Sequence, residues 1–133
     1  MCFFCNLCRK KNPYTPDLTN KVYVLTGGTK GIGRECLFKL AQLSATIIFT
    51  GRTRWLGLEL QETIQLQYPS AKIKYIQVDH KSFASIKKFS EYLMAEYKNL
   101  DCLINNIGGF TDKSHTDDGF SYQIQLNYYS MFY

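Results

Sequence analysis

A glycine-rich run at residues 26–33 is the part of this sequence best suited to bind a charged ligand. It reads Thr-Gly-Gly-Thr-Lys-Gly-Ile-Gly and lies between an apolar, β-rich segment and a segment with helical periodicity. Glycines let the backbone turn tightly and bring bare N–H groups at a helix N-terminus against phosphate oxygens. Such spacing also occurs in purely structural loops, but its place between a strand and a helix favours pyrophosphate binding. The candidate binding residues are Thr26, Gly27, Gly28, Lys30, Gly31, Ile32 and Gly33.

The turn after the second predicted strand indicates which dinucleotide is bound. Proteins that prefer NAD usually place an Asp or Glu here to bind the ribose hydroxyl, but residues 45–58 contain no acidic side chain. The turn instead carries Arg52 and Arg54, and a guanidinium can hold a phosphate through two parallel hydrogen bonds. Lys30 is expected to lie close enough to contribute. The alternative is a solvated arginine pair, although basic residues at a helix start oppose the helix dipole. The pattern predicts NADP(H) as the cofactor.

Two polar residues follow the third predicted strand. The carboxylate of Asp79 can bind the adenine amino group, or it can cap the next helix in competition with Ser82. His80 is expected on the adenine side of the cofactor, away from the nicotinamide, so it is a candidate binding residue and not a predicted catalyst.

Two amides and a glycine follow the fourth predicted strand, at Asn105, Asn106 and Gly108. Buried amides at the end of a central strand can tie neighbouring backbone groups together and line a ribose. A purely structural role is the alternative. We therefore include all three residues in the candidate cofactor site.

Four strand–helix pairs are needed to position these turns. Apolar periodicity predicts strands at 21–26, 45–50, 72–78 and 100–105, and helices at 31–43, 54–68, 82–98 and 119–133. This alternation predicts an α/β fold, a Rossmann-type doubly wound parallel sheet that is truncated after about four strands. Ligands of such sheets lie beyond the carboxyl ends of the strands, where all four candidate turns would meet.

Length and composition allow one domain and exclude several functional classes. The chain has 133 residues, 45% of them hydrophobic and 20% charged, with a net charge of +5. No apolar run is long enough to cross a bilayer, and the charge is too modest for a nucleic-acid-binding protein. Residues 1–20 have loop composition, which predicts an irregular arm followed by an NADP-binding unit over residues 21–133.

The cysteines fall into two groups. Cys36 and Cys102 lie in apolar segments and are predicted to be reduced packing residues. Cys2, Cys5 and Cys8 have the spacing of metal ligands, but no fourth ligand lies nearby, so no metal site is predicted. These three could instead be acylated and, with the basic residues that follow, attach a cytoplasmic protein to a membrane surface. The alternative is a disordered arm. No cleavable signal peptide is predicted.

Taken together, the motifs resemble those of the short-chain dehydrogenase/reductase family. They are Thr-Gly-x-x-x-Gly-x-Gly at 26–33, Gly-Arg at 51–52, Asp79, and Asn-Asn-x-Gly at 105–108. The run Asp-Gly-Phe at 118–120, with Asn127, is similar to the retinol dehydrogenase branch. The resemblance spans about residues 20–133. It implies reversible hydride transfer between NADP(H) and a carbonyl or alcohol, often of a retinoid, steroid or other lipid.

The resemblance also implies a division of catalytic roles. In the family a Tyr is the general acid/base, a Lys lowers its pKa and holds the ribose, and a Ser orients the carbonyl. Asn127 matches the helix Asn that supports a water leading to the Lys. The other three residues are expected beyond residue 133. The Tyr-x-x-x-Lys at 68–72 is expected at the amino end of the sheet, away from the site. Two positions depart from the family pattern: Ile107 replaces the usual Ala, and Ser130 the usual Gly.

These implications predict the N-terminal half of an oxidoreductase whose fourth strand is an open, apolar edge. The alternative is a truncated, non-catalytic nucleotide-binding or interaction protein. An unrelated nucleotide-binding module is disfavoured by the matches at 105–108 and Asn127. The expected partner of a full-length form is a small carbonyl or alcohol. A homo-oligomer and a peripheral membrane contact through the arm are both left open.

Overall fold

The computed structural model describes residues 16–110 and 115–133. Within these ranges strands and helices alternate along the chain. The strands are β1 (Val22–Leu25), β2 (Thr46–Gly51), β3 (Lys72–Gln77) and β4 (Cys102–Ile104). The helices are α1 (Gly31–Gln42), α2 (Arg54–Gln67), α3 (Phe83–Glu96) and α4 (Tyr122–Asn127), followed by a 3₁₀ turn at Tyr129–Met131.

The four strands form one parallel sheet in the order β3-β2-β1-β4. In the centre of the sheet, Val24 pairs with Ile48 on one side and Leu103 on the other. The chain moves outward from β1 to β3 and then returns across the sheet to β4. The direction of winding therefore reverses at β1, which is where ligands of doubly wound sheets bind. The predicted α/β Rossmann-type arrangement is confirmed.

Apolar residues on successive strand positions face opposite sides of the sheet, and helices cover both sides. On one face Leu25 and Phe49 pack with residues of α1 and α2, and on the other Val24 and Ile48 pack with residues of α3. Because both faces are buried, β1 and the centre of β2 (residues 47–49) are continuously apolar rather than alternating. The two cores hold the sheet rigid beneath its carboxyl edge.

The ends of the helices follow local chemistry. Ser82 caps α3 by accepting a hydrogen bond from the Ser85 N–H at 3.3 Å. Helix α2 ends just before Pro69, which cannot continue it. Of the two predicted roles of Asp79, adenine contact or helix cap, the cap is excluded, because Ser82 provides it. Apart from the last helix, the predicted ends of the elements differ from the observed ones by at most two residues.

The predicted helix at 119–133 is wrong in its extent. Gly119 has φ +84° in a tight turn, which is closed by a hydrogen bond from the Thr116 N–H to the Phe120 carbonyl. Helix α4 begins only at Tyr122 and ends at Asn127, after which Tyr128 leaves helical geometry (φ −129°, ψ −67°). The Asp118 carboxylate accepts a hydrogen bond from the Phe83 N–H, so a tertiary contact favours the turn over a longer helix.

Strand β4 forms one side of the described sheet. Within residues 16–110 and 115–133 it pairs with β1 alone, and Leu103 is 49% exposed. An apolar strand with unpaired backbone groups favours pairing with a further strand. The predicted open edge is therefore present in the described part of the chain.

Candidate functional site

The glycine turn (residues 26–33) is held from the side of β2. The Gly27 N–H donates to the Thr50 hydroxyl at 3.3 Å, and the Gly28 N–H donates to the Thr50 carbonyl at 2.9 Å. Gly27 has φ +71°, a conformation that other residues adopt only with strain. One residue at the end of β2 therefore fixes two consecutive amides of the turn.

The same turn is held from the side of β4. The Asn106 amide donates to the carbonyls of Thr26 and Gly27, both at 3.0 Å, and the Thr26 hydroxyl accepts from the Asn106 and Ile107 N–H groups at 3.1 Å. A Cβ at Gly33 would lie 2.5 Å from both the Asn106 amide nitrogen and the Gly27 carbonyl oxygen. Only glycine therefore allows α1 to approach the turn this closely.

The first amides of α1 are the groups that can hold an anion. The N-cap residue Lys30 makes no side-chain capping bond, and the first turn contains no acidic residue. The N–H groups of Gly31, Ile32 and Gly33 have no carbonyl four residues back within the helix to bind. Ile32 is 85% exposed, and a Cβ at Gly31 would have nothing within 4 Å. Among the described residues, the start of α1 is thus open, positively polarised and without an acidic side chain to bind.

Arg52 lies at the end of β2, beside the glycine turn. Its Nη1 donates to the Tyr122 hydroxyl at 3.1 Å, and its carbonyl accepts from Gln77 at 3.0 Å. No ion pair of Arg52 occurs in residues 16–110 and 115–133. Gly51 abuts Thr29, since a Cβ at Gly51 would lie 2.6 Å from the Thr29 methyl carbon. The turns that carry Lys30 and Arg52 are therefore neighbours, as the sequence predicts.

Asp79 retains a carboxylate at the carboxyl edge of β3. Its Oδ1 accepts from the Lys81 N–H at 3.0 Å, and its Oδ2 lies 3.7 Å from the Lys81 ammonium. The side chain is 45% exposed, so a bound ligand could reach it. Its predicted contact with adenine stays a prediction.

His80 lies beneath the site rather than on its surface. The residue is 2% exposed, and its Nε2 lies 2.8 Å from the Thr50 hydroxyl oxygen. Burial lowers the pKa of His80 to about 4, against a smaller opposite effect of the Asp79 charge. The imidazole is therefore neutral at physiological pH and faces Thr50. The 2% exposure is that of the whole residue, backbone included, and the predicted contact of His80 with the cofactor stays a prediction.

The turn after β4 is joined to the end of α4. Asn127 clasps Gly109, accepting from its N–H at 2.9 Å and donating to its carbonyl at 3.0 Å. Asn105 is exposed and Asn106 is half-buried, so the interpretation of both as buried amides is wrong, because β4 ends before them on the open side of the sheet. A Cβ at Gly108 would lie 3.4 Å from the Asn127 Oδ1. Asn127 and the 105–108 motif thus meet, while the catalytic role of Asn127 stays a prediction.

The Tyr-x-x-x-Lys sequence lies at the opposite edge, as predicted. Lys72 is level with Thr46, the first residue of β2, and Tyr68 packs edge-on against Phe38 with ring centroids 6.4 Å apart. Neither side chain can therefore act at the carboxyl edge of the sheet.

Three residues at the site, Thr50, Tyr122 and Lys81, were not predicted from the sequence. Thr50 follows the apolar residues 47–49 of β2, and a polar residue directly before Gly-Arg is the signal that could have identified it. Tyr122 contacts Arg52, and the Lys81 ammonium lies 4.8 Å above its ring centroid. These two contacts join segments far apart in sequence, so no local pattern indicates them.

The described ranges contain no cluster of three His, Cys, Asp or Glu side chains that could bind a metal. Cys36 and Cys102 are free and half-buried, and burial raises the pKa of the Cys36 thiol. The hypotheses on Cys2, Cys5 and Cys8 concern residues outside the described ranges. Among residues 16–110 and 115–133, no helix has the length and apolar character needed to cross a membrane.

Comparison with known proteins gives a consistent result. The family model for short chain dehydrogenases matches residues 21–133. Polyprenol dehydrogenase of Danio rerio is 31% identical over 121 residues, covering 90% of this chain and 37% of the relative. Human retinol dehydrogenase 11 is 34% identical over 119 residues, covering 89% and 37%. The chain thus spans about a third of the length of these curated relatives.

The solved structures agree on the fold. L-sorbose reductase from Gluconobacter frateurii, solved with NADPH and L-sorbose, superposes with a TM-score of 0.75 over 89% of this chain and 45% of the reductase. The two sequences are 19% identical. At this identity the likeness establishes the fold alone.

Proposed function

Because this chain belongs to the short chain dehydrogenase family, we propose that its carboxyl edge binds NADP(H) for an oxidoreductase reaction. The reaction would be hydride transfer to or from a small carbonyl or alcohol. The glycine turn and the start of α1 would hold the pyrophosphate, Arg52 the 2′-phosphate, and Asp79 the adenine. The observation that carries the choice of NADP(H) is Arg52, which has no ion-pair partner in the described residues and stands where a carboxylate would select NAD.

The residues present fit a dinucleotide. Three amides at the start of α1 have no helical partner, and the space beyond Gly31 is open. An anion there would satisfy N–H groups and the helix dipole together. The clamp by Thr50 and Asn106 fixes this geometry before any ligand arrives, which lowers the ordering cost of binding.

The bound cofactor would donate or accept the hydride, and this chain's own residues would place it. Arg52 would bind the 2′-phosphate by charge-assisted hydrogen bonds, in exchange for the one it now makes with Tyr122. Lys30, in the neighbouring turn, would add a second positive charge. Asn127 holds the 108–109 turn next to the end of β4, so a substrate oxygen or water at that end would meet a fixed backbone.

For the substrate we propose the lipid alcohols and aldehydes. The support is the similarity to two relatives, a polyprenol dehydrogenase and a retinol dehydrogenase, which are 31% and 34% identical to this chain. A full-length form that supplies the Ser, Tyr and Lys expected beyond residue 133 would be incubated with NADP⁺ and retinol or a polyprenol, and NADPH formation followed by absorbance, with L-sorbose as the polar control. Turnover of the lipid alcohols alone supports this class. Binding of NADP(H) without turnover of any alcohol favours the non-catalytic nucleotide-binding alternative.

Cofactor choice is tested with Arg52→Asp in the full chain. The variant should bind NADPH roughly 100-fold more weakly while its NADH affinity changes little, because only NADPH carries the phosphate that the guanidinium would hold. Lys72→Asp is the matched control, with the same charge change at the amino edge of the sheet. Calorimetry measures both dissociation constants. Equal losses for NADPH and NADH in Arg52→Asp would contradict the proposed phosphate contact.

We further propose that residues 21–133 form the cofactor-binding unit and that residues 1–20 attach it to the cytoplasmic face of a membrane. The support is the three clustered cysteines followed by basic residues. Replacement of Cys2, Cys5 and Cys8 by Ser should move the protein from the membrane to the soluble fraction, and it should abolish incorporation of a labelled fatty acid. Wild-type protein that incorporates no label would overturn the proposed acylation.

A further inference from the structure

A buried imidazole, which the cofactor contacts do not use, lies directly behind the glycine turn. His80 Nε2 is 2.8 Å from the Thr50 hydroxyl oxygen, and that oxygen accepts the Gly27 N–H at 3.3 Å. Thr50 is fully buried and His80 is nearly so. The three groups form a continuous chain from the end of β3, through the end of β2, to the turn.

The Thr50 hydroxyl determines which group donates and which accepts in these hydrogen bonds. Its oxygen already accepts a hydrogen bond from Gly27, so its own proton needs an acceptor. A neutral His80 with a lone pair on Nε2 and the proton on Nδ1 provides one. The opposite tautomer would leave both the hydroxyl proton and the Nδ1 lone pair without partners in the described residues. The assignment with fewer unsatisfied groups therefore makes Nε2 the acceptor.

Packing alone does not explain the imidazole. His80 Nδ1 is buried and has no partner in the described residues, and such an orphaned polar group costs stability. An apolar residue of similar size would fill the space between β3 and β2 without that cost. What an apolar residue could not do is accept the Thr50 proton.

We propose that His80 is a positioning residue for cofactor binding, which acts through Thr50. By accepting the hydroxyl proton, the imidazole orients the Thr50 oxygen toward the Gly27 N–H and so holds the glycine turn in its binding conformation. Without that acceptor, the hydroxyl would rotate to donate elsewhere and its lone pair would leave Gly27. The inference rests on the proposed function, because the turn it positions is the proposed pyrophosphate site.

The test is a double-mutant cycle in the full chain. His80→Leu removes the acceptor, Thr50→Val removes the hydroxyl at nearly constant volume, and the double variant removes both. Each single variant should weaken NADPH binding roughly five- to tenfold, the loss expected for one hydrogen bond. The double variant should lose no more than a single one, because the two residues act in series. His80→Gln, which can still present an oxygen to Thr50, should retain affinity within about threefold of wild type.

Two further measurements separate positioning from general destabilisation. The NMR signal of the Gly27 amide should shift in His80→Leu and Thr50→Val and return toward its wild-type position in His80→Gln. Affinity for NADH should fall by the same factor as for NADPH, since the pyrophosphate is common to both. Ile86→Val, a change in the core beneath α3, should lower the melting temperature without altering either affinity.

The outcomes distinguish this inference from the proposed function. A wild-type chain that binds neither nucleotide overturns the proposed function and, with it, the proposed effect of His80 on nucleotide affinity. Wild-type binding with unchanged affinity in Thr50→Val, or fully additive losses in the double variant, overturns the role of His80 alone. If His80→Leu does not fold, Thr50→Val and His80→Gln still decide the matter.

Discussion

The glycine turn and the Arg52 side of the site are built in opposite ways. The turn is tied to β2 through Thr50 and to β4 through Asn106, by bonds among buried or half-buried groups. Arg52 is exposed, and among residues 16–110 and 115–133 its guanidinium makes one hydrogen bond, to the Tyr122 hydroxyl. The difference suggests a division of labour. In the proposed function, the turn that would bind the pyrophosphate common to both dinucleotides is fixed by the sheet, and the residue that would distinguish NADP(H) from NAD(H) is an exposed side chain.

The largest expected effect comes from breaking the clamp itself. Gly33→Ala would place a Cβ 2.5 Å from the Gly27 carbonyl oxygen and from the Asn106 amide, so α1 must move away. We expect NADPH binding to fall on the order of 100-fold, because about three amide contacts of roughly 1 kcal/mol each would be misplaced. The melting temperature should fall as well. Gly109→Ala, whose Cβ would meet nothing closer than 3.7 Å, is the control and should bind normally.

Acid should lower the free energy of unfolding through the buried His80, which lies behind the glycine turn. The pKa of His80 is lowered by burial from 6.5 to about 4, so the unfolded chain binds the proton between these values and the folded chain does not. The contribution of the neutral His80 to the free energy of unfolding is therefore fully present above pH 6.5. It falls as the pH drops toward 4, by roughly 3 kcal/mol in all. Unfolding by urea across this range, compared with His80→Gln, measures the effect. Parallel pH profiles of the two proteins would contradict it.

The smallest expected effect is on the Arg52 side. Tyr122→Phe removes the hydroxyl that orients the exposed guanidinium, and such a surface contact contributes below about 1 kcal/mol. Because Arg52 would give up this bond when it binds the 2′-phosphate, NADPH affinity should rise by no more than about threefold, with NADH affinity unchanged. Tyr128→Phe, on the same exposed segment, is the matched control. A loss in Tyr122→Phe as large as that in Gly33→Ala would abolish the distinction between the two regions.

The sequence predicts the fold well because burial leaves a local pattern. Apolar residues run continuously through β1 and the centre of β2, and they recur periodically on one face of each of α1 to α3. These patterns indicate which surfaces are buried, and the observed elements follow them. The four turns were located correctly for the same reason, since each directly follows a strand. Ser82 shows the limit of that reasoning. Local chemistry offered two capping candidates, and only the packed structure selects one.

What the sequence did not predict depends on long-range contacts. Thr50 functions through Gly27 and His80, which lie 23 and 30 positions away, and Tyr122 meets Arg52 across 70 positions. The predicted helix at 119–133 failed for a related reason. Asp118 binds the start of α3, and this contact favours a turn where periodicity alone indicates a helix.

The position of β4 also sets the order in which the site can form. Asn106 binds Thr26 from 80 positions further along the chain, so a protein that folds as it leaves the ribosome cannot close the glycine turn until two more strand–helix units have emerged. Contacts this distant in sequence form slowly, because a long loop must close first. A nucleotide that binds only the closed turn would therefore favour the finished sheet over its partly folded precursors. The supply of cofactor would then influence how much of the newly made chain reaches the folded state.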